Sequence, residues 1–335
     1  MRHSFPLRVA FALGLAGAIL LSGCRGGRGR VLEVNYVSAP QVNLRDRVAA
    51  VYNKSGLVKN GDRVEVLDRD RTFVKVRTAG GAEGWMEKRY LVSDKIFQQI
   101  QQLTQDNKND PPQGQGTTHA DTNLHVEPGR DAEHLYLMSQ GEKVMLLKRA
   151  TAEKPGTAAP ARSAAKPGEK KEIKPLLEDW WLVRDSHNRV GWVLARMVDL
   201  DVPLDVAQYA EGQRIVAFFV LDEVRDGDKK IPQYLTILTE PHDGLPFDFN
   251  QIRVFTWNVK RHRYETAYRE HKLFGVLPVA QGHEDFGKEG NLPTFTLHTQ
   301  DDSGKIVERK YKLNTPIVRR VFAAGEEAAS AHKKN

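Results

Sequence analysis

The side chains able to do covalent or metal chemistry are few and scattered. Cys24 is the only thiol in 335 residues, so no disulfide can close within the chain and no cysteine-rich zinc site can form. Ser163-Ala164-Ala165-Lys166 has the Ser-x-x-Lys spacing, but it lies in an Ala/Pro/Lys/Glu-rich run with no helix or pocket to activate it. His262, His271, His283, Glu284, Asp285 and His298 gather in the C-terminal third. They form no His-Glu-x-x-His helix, and no His-x-His pair by which a strand would present two imidazoles on one face. His283-Glu284-Asp285 sits between glycines and reads as an exposed loop, and no Gly-x-Ser-x-Gly turn is present. The chain therefore reads as a non-enzyme that calls for no metal and no cofactor. Binding chemistry is better supplied: aromatic residues Phe73, Trp85, Trp180 and Trp192 with Lys75, and a basic stretch Lys260–Arg263 that reads as a charged hairpin tip.

The elements that position these residues begin with an anchor. Arg2, His3 and Arg8 precede an uncharged run from Val9 to Leu21. A bilayer span needs about 20 apolar residues, so this run has instead the length of a signal-peptide core. It ends in Leu21-Ser22-Gly23-Cys24, which resembles the lipobox of bacterial lipoproteins. The resemblance implies that residues 1–23 are removed and that Cys24 is acylated, making the lipid bilayer a partner. It also consumes the only thiol, which excludes a Cys-His peptidase. Residues 24–33, with Arg25, Arg28 and Arg30 among glycines, read as a flexible basic tether. An arginine rather than aspartate after the cysteine implies, by resemblance to enteric lipoprotein sorting, the outer rather than the inner membrane. The formal charge falls from +7 to +5 when Arg2 and Arg8 leave, too mild a balance for a nucleic-acid binder.

The chain then repeats itself. Asn43-Leu44-Arg45, Gly61-Asp62-Arg63-Val64-Glu65-Val66-Leu67, Phe73-Val74-Lys75-Val76-Arg77 and Gly84-Trp85-Met86 form the first copy. Asn123-Leu124-His125, Gly141-Glu142-Lys143-Val144-Met145-Leu146-Leu147, Trp180-Trp181-Leu182-Val183-Arg184 and Gly191-Trp192-Val193 form the second. Asn to Gly is 18 residues in both; Gly to Gly-Trp is 23 in the first and 50 in the second. Residues 150–178, with little to bury, read as a disordered insertion that accounts for the difference. Val64 and Val66, and Val74 and Val76, alternate with charged neighbours, giving each strand one buried and one wet face. Phe73 then shares the outward face with Lys75, and Trp180 with Leu182. Trp85 and Trp192 are expected as core or groove floor. The glycine before each is expected to avoid crowding the packed ring.

This order of motifs, closed by Tyr90-Leu91-Val92, resembles the bacterial SH3 (SH3b) domain over residues 34–93 and, more distantly, over 119–200, where His125 replaces the usual arginine. The resemblance implies small, partly open β-barrels that bind cell-wall peptides or dock on envelope proteins. Between the copies, residues 94–118 read as a short helix, capped by Ser93 with Ile96, Phe97, Ile100 and Leu103 on one face, followed by a linker. Residues 205–323 read as a C-terminal antiparallel β domain of uncertain fold, with hairpin turns at Asp226-Gly227 and Asp302-Ser303-Gly304. Its pattern predicts strands at Tyr264–Arg269 and Leu273–Val279 as separate segments. Residues 324–335 read as a loose tail. The fold class is mainly β, two small SH3-like barrels and a third β unit. The function expected is a lipid-anchored, periplasm-facing envelope protein that binds or scaffolds. The alternatives are an envelope hydrolase with its site in the C-terminal unit, or a purely structural subunit.

Overall fold

A computed structural model describes residues 30–156 and 175–322. Cys24, Ser163, Lys166, the middle of the expected insertion and the tail lie outside the described residues. The described residues form three seven-stranded antiparallel sheets.

The first sheet is built from β1 (Glu33–Val37), β2 (Gln41–Arg45), β3 (Lys54–Lys59), β4 (Arg63–Asp70), β5 (Phe73–Thr78), β6 (Glu83–Glu87) and β7 (Leu91–Ser93). The alternation read from the sequence sets its inside. Val64, Val66, Val74, Val76 and Met86 are buried with Val37, Leu44 and Val58 in one core. A Cβ at Gly84 would lie 2.7 Å from the Leu44 Cβ, and one at Gly191 would lie 3.0 Å from the Leu124 Cβ. The repeated Asn-Leu and Gly-Trp motifs are therefore halves of one contact. The glycine makes room for the leucine of a crossing strand, not for the tryptophan that follows it.

The second sheet comprises β8 (Gly114–Thr118), β9 (Thr122–His125), β10 (His134–Met138), β11 (Lys143–Glu153), β12 (Leu177–Arg184), β13 (Val190–Leu194) and β14 (Val198–Leu200). The first sheet runs β3-β2-β6-β5-β4-β1-β7 and the second β10-β9-β13-β12-β11-β8-β14. Every strand of the second thus occupies the place of its counterpart in the first. Two expectations are corrected here. The expected linker ends in a strand, because Gly114–Thr118 pairs with both β11 and β14. The expected insertion begins too early and ends too late: Ala150↔Trp180, Thr151↔Asp179, Ala152↔Glu178 and Glu153↔Leu177 are registered pairs of a long hairpin.

Helix α1 (Asp94–Asp106) joins the two sheets. Ile100 is fully buried, and Ile96 and Phe97 pack on the same core; Phe97 stacks on Tyr36 at 4.1 Å. The expected face is therefore correct, although the Ser93 hydroxyl makes no capping hydrogen bond. At the other end Arg184 donates to the carbonyls of Asn107 and Lys108, at 2.7 and 3.0 Å. A cation there complements the C-terminal end of the helix dipole.

After β14, the short helix α2 (Leu204–Ala207) leads into β15 (Arg214–Asp226), β16 (Lys229–Thr239), β17 (Phe249–Asn258), β18 (Arg263–Asp285), β19 (Asn291–Gln300), β20 (Ile306–Asn314) and β21 (Ile317–Val321). These follow one another as a simple meander. The two segments expected at 264–269 and 273–279 are one strand, and His283-Glu284-Asp285 is its paired end rather than a loop. Gly275 explains the continuity: it registers with Phe249 of β17 and Thr299 of β19, and it lies against the Phe249 ring with no room for a Cβ.

Polar groups stitch the third sheet to the second. Gln113 is fully buried; its side chain accepts the Val279 N–H at 2.7 Å and donates to the Val279 carbonyl at 3.3 Å. Arg149, whose side chain is almost wholly enclosed, donates to Asp179 at 2.6 Å and to the Phe247 carbonyl at 3.0 Å.

Candidate functional site

The aromatic residues singled out by the repeat lie on the outer faces of the first two sheets, and those faces differ. In the first sheet Phe73 pairs with Glu87 and Lys75 with Trp85. Period-two alternation sends Gly84 and Met86 inward, so Trp85 points outward with Phe73 and Lys75. All three are half-buried. Of the two places expected for Trp85, core or groove floor, the core is thereby ruled out.

β2 lies beside β6, with Arg45 opposite Trp85. The Arg45 guanidinium stands 4.3 Å from the centroid of the Tyr52 ring and 5.0 Å from that of Phe73. Cation–π contact with two rings holds a planar cation in place. Glu87, the nearest carboxylate, is 3.9 Å away, and it is engaged by Arg89 at 2.8 Å. Beside this corner Lys75 and Arg77 are both held by Glu83, at 3.0 and 2.9 Å. Hydrogen bonds from these two cations hold the Glu83 carboxyl below its ordinary value. Asp46 closes the β2–β3 connection by accepting from Asn53 at 2.9 Å. A hydrogen bond from Arg47, then the one from Asn53, lowers its pKa to about 2.

In the second sheet the same positions are sealed. Trp180 corresponds to Phe73 and lies on the expected side, with Leu182, yet only 2% of it is exposed. The expectation of an open aromatic there is corrected. His125, the counterpart of Arg45, meets the Trp180 ring edge-on at 5.3 Å. Burial pushes the His125 pKa down, outweighing its bond to the Ala132 carbonyl. The β9–β10 connection is clasped onto β12 by Arg130, which makes two bonds of 2.6 Å to Glu178. Further along, Leu103 of α1 packs with Leu147, Leu182, Val190 and the half-buried Trp192. Trp192 is thus neither core nor open floor, but part of a seat for the helix.

Several charged candidates of the third sheet are engaged by neighbours. Arg261 and Arg263 share Glu265, at 2.9 and 3.3 Å, and His262 meets Asp226 at 2.6 Å. His298 engages the Pro278 carbonyl at 2.7 Å. Among the described residues one group has metal-ligand proximity, Glu142, Asp185 and His187. Asp185 there already accepts the N–H groups of His187 and Arg189, and the Arg189 side chain at 2.6 Å. An arginine stands where a cation would bind, so the group is a stapled turn.

Sequence reasoning missed Arg45 and Tyr52. The signal for Arg45 was its loss of a fixed charge between copies, Arg45 against His125, a change it shares with Glu65 against Met145 and Lys75 against Leu182. Tyr52 lies in a connection outside the repeated motifs and carried no signal.

Among solved structures, the chain is similar to an NlpC/P60 family protein from Bacillus cereus ATCC 10987, with 11% identity, 85% of this chain and 95% of that one covered, and a TM-score of 0.23. It is also similar to NlpC2 and NlpC1 from Trichomonas vaginalis, each with 10% identity and a TM-score of 0.17, covering 86% and 90% of this chain and 95% of each of those. TM-scores this low establish neither a common fold nor a common activity. No curated protein is significantly similar to the chain. Residues 40–92, which carry the arginine-aromatic corner, match the bacterial SH3 domain family.

Proposed function

We propose that the protein is a lipid-anchored component of a bacterial cell envelope that binds cell-wall peptides through the outer face of its first SH3b unit. The observation that carries this reading is the cluster of Arg45, Tyr52, Phe73 and Trp85, laid open on the one sheet that matches a bacterial SH3 domain. Flat rings with polar groups beside them suit an extended peptide. The second unit, with the same strand order, serves as a scaffold whose face is filled by its own chain. Acylation of Cys24 supplies the anchor in this reading; no described helix is long and apolar enough to cross a membrane.

Sedimentation of the purified protein with peptidoglycan tests the binding. Wild type co-sediments, and Phe73→Ala binds about thirty-fold more weakly, as for an aromatic anchor worth roughly 2 kcal/mol. No binding by wild type would remove the wall-peptide reading. The anchor is tested by labelled palmitate, which enters the wild-type chain and not Cys24→Ser.

A further inference from the structure

We infer that the first unit reads a carboxylate on its peptide ligand, and that Arg45 is the group that reads it. This rests on the wall-peptide reading for the identity of the ligand, but the chemistry follows from the corner itself. The Arg45 side chain makes no hydrogen bond among the described residues, although contact with two rings holds its guanidinium. Its one carboxylate neighbour stands at 3.9 Å and is bound more closely by Arg89. Nearby cations are neutralised by their own acids: Arg47 by Asp46 at 3.0 Å and Lys75 by Glu83 at 3.0 Å. The Arg45 guanidinium keeps unused donors. A fixed, planar fork of N–H groups matches the two oxygens of a carboxylate. Cation–π contact engages the face of the group and uses none of its N–H donors.

The second unit supports this assignment. Beside Trp180, the counterpart of Phe73, a carboxylate is already held by an arginine, and both come from the chain itself: Glu178 and Arg130. There the Arg45 position is taken by His125, whose burial favours the neutral ring. The closed copy satisfies internally a pairing that the open copy offers to a ligand. One ligand per chain follows, not two.

The test uses the purified full-length chain and two probes, each with free and with amidated carboxyl groups. One is a disaccharide-tetrapeptide muropeptide. The other is acetyl-glycyl-glycine, which has the carboxylate and no wall character. Calorimetry is expected to give one site per chain for the muropeptide. Amidation and Arg45→Gln should each weaken binding about thirty-fold, as for truncating one side of a charge-assisted pair, and should not add. Arg45→Lys should recover part of the loss. Equal affinity for free and amidated muropeptide, or additive losses, would overturn the carboxylate assignment. If wild type binds no muropeptide, acetyl-glycyl-glycine decides. Shifts in its NMR signals with wild type but not with Arg45→Gln would leave the carboxylate site standing without the wall ligand. No shift would remove both. Two ligands per chain would overturn the sealed second unit.

Discussion

At the scale of single residues, what a tryptophan does depends on what covers the outer face of its sheet. Trp85 and Trp192 follow equivalent glycines, yet one stands on an open face and the other under a helix. Trp180 replaces Phe73 and is enclosed. Trp180→Ala should therefore cost about 3–5 kcal/mol, the range for emptying a buried aromatic site. Trp85→Ala should cost only about 1–2 kcal/mol, because a half-buried ring gives up less area. Denaturant melts of the two variants check this, and equal losses would place Trp85 in the core after all. The alternation of Val64, Val66, Val74 and Val76 was legible because valines between charges fix the period. The closure over Trp180 was not legible. It depends on Arg130, 50 residues away in the sequence, reaching Glu178, and neither residue has a distinctive local pattern.

At the scale of elements, the hairpin β11–β12 links the second sheet to the third. Its Asp179 is buried and bound by Arg149 at 2.6 Å, by Arg214 at 2.7 Å and by the Gly244 N–H at 3.0 Å. Burial alone would raise the Asp179 pKa, but these donors together bring it below 3.8. Asp248, on the other side of Arg149, is raised, because burial there outweighs the bond from Leu277 and the pull of Arg149. The signs oppose. A depressed carboxyl gives stability that is present above its unfolded pKa and lost as pH falls through its folded pKa. A raised carboxyl disfavours folding above its unfolded pKa, and that penalty lifts as it protonates. Asp179→Asn should cost about 3–5 kcal/mol at pH 7, as for breaking a buried pair and stranding its arginine. The variant should also lose part of the wild-type fall in stability below pH 4. Denaturant midpoints from pH 3 to 7 follow both effects, and parallel profiles for variant and wild type would reject the assignment. The composition of residues 150–178 concealed this hairpin. Ala, Pro, Lys and Glu mark a segment with little to bury, but the residues at its edges are fixed by partners in another domain. A deletion of 150–178 would remove β-pairs of Thr151 and Glu153 along with Glu178. It should lower the melting temperature sharply, and an unchanged melt would restore the view that this stretch stands outside the fold.

At the scale of the molecule, the sheets share a core. Tyr36 of the first, Leu124 of the second and Phe295 of the third belong to one buried cluster, with Ile100 of α1 between the first two. The order of units was visible in the repeat. Their fusion was not, because it is made by residues of ordinary type at ordinary positions. Asn60 is the clearest. It lies in the β3–β4 turn, donates to the Ser38 carbonyl at 2.9 Å and the Leu135 carbonyl at 2.8 Å, and accepts the Leu137 N–H at 3.1 Å. One side chain thus stands in for a strand at the edge of β10. Beside it, the Tyr136 ring lies 3.0 Å from where a Gly61 Cβ would be, so the turn can sit flat against that edge only because Gly61 has no side chain. Asn60→Ala removes the bonds that bridge the two units and leaves both sheets' own ladders intact. Each hydrogen bond lost should cost about 1 kcal/mol, and the loss should fall on the joint. Amide exchange is expected to quicken at Leu137, whose N–H loses its acceptor, while Val64 and Val76 in the first core keep their protection. Binding to the Arg45 corner should be unchanged, since that face lies on β2, β5 and β6. Uniformly faster exchange across the first core would show that Asn60 supports the unit itself and not its junction.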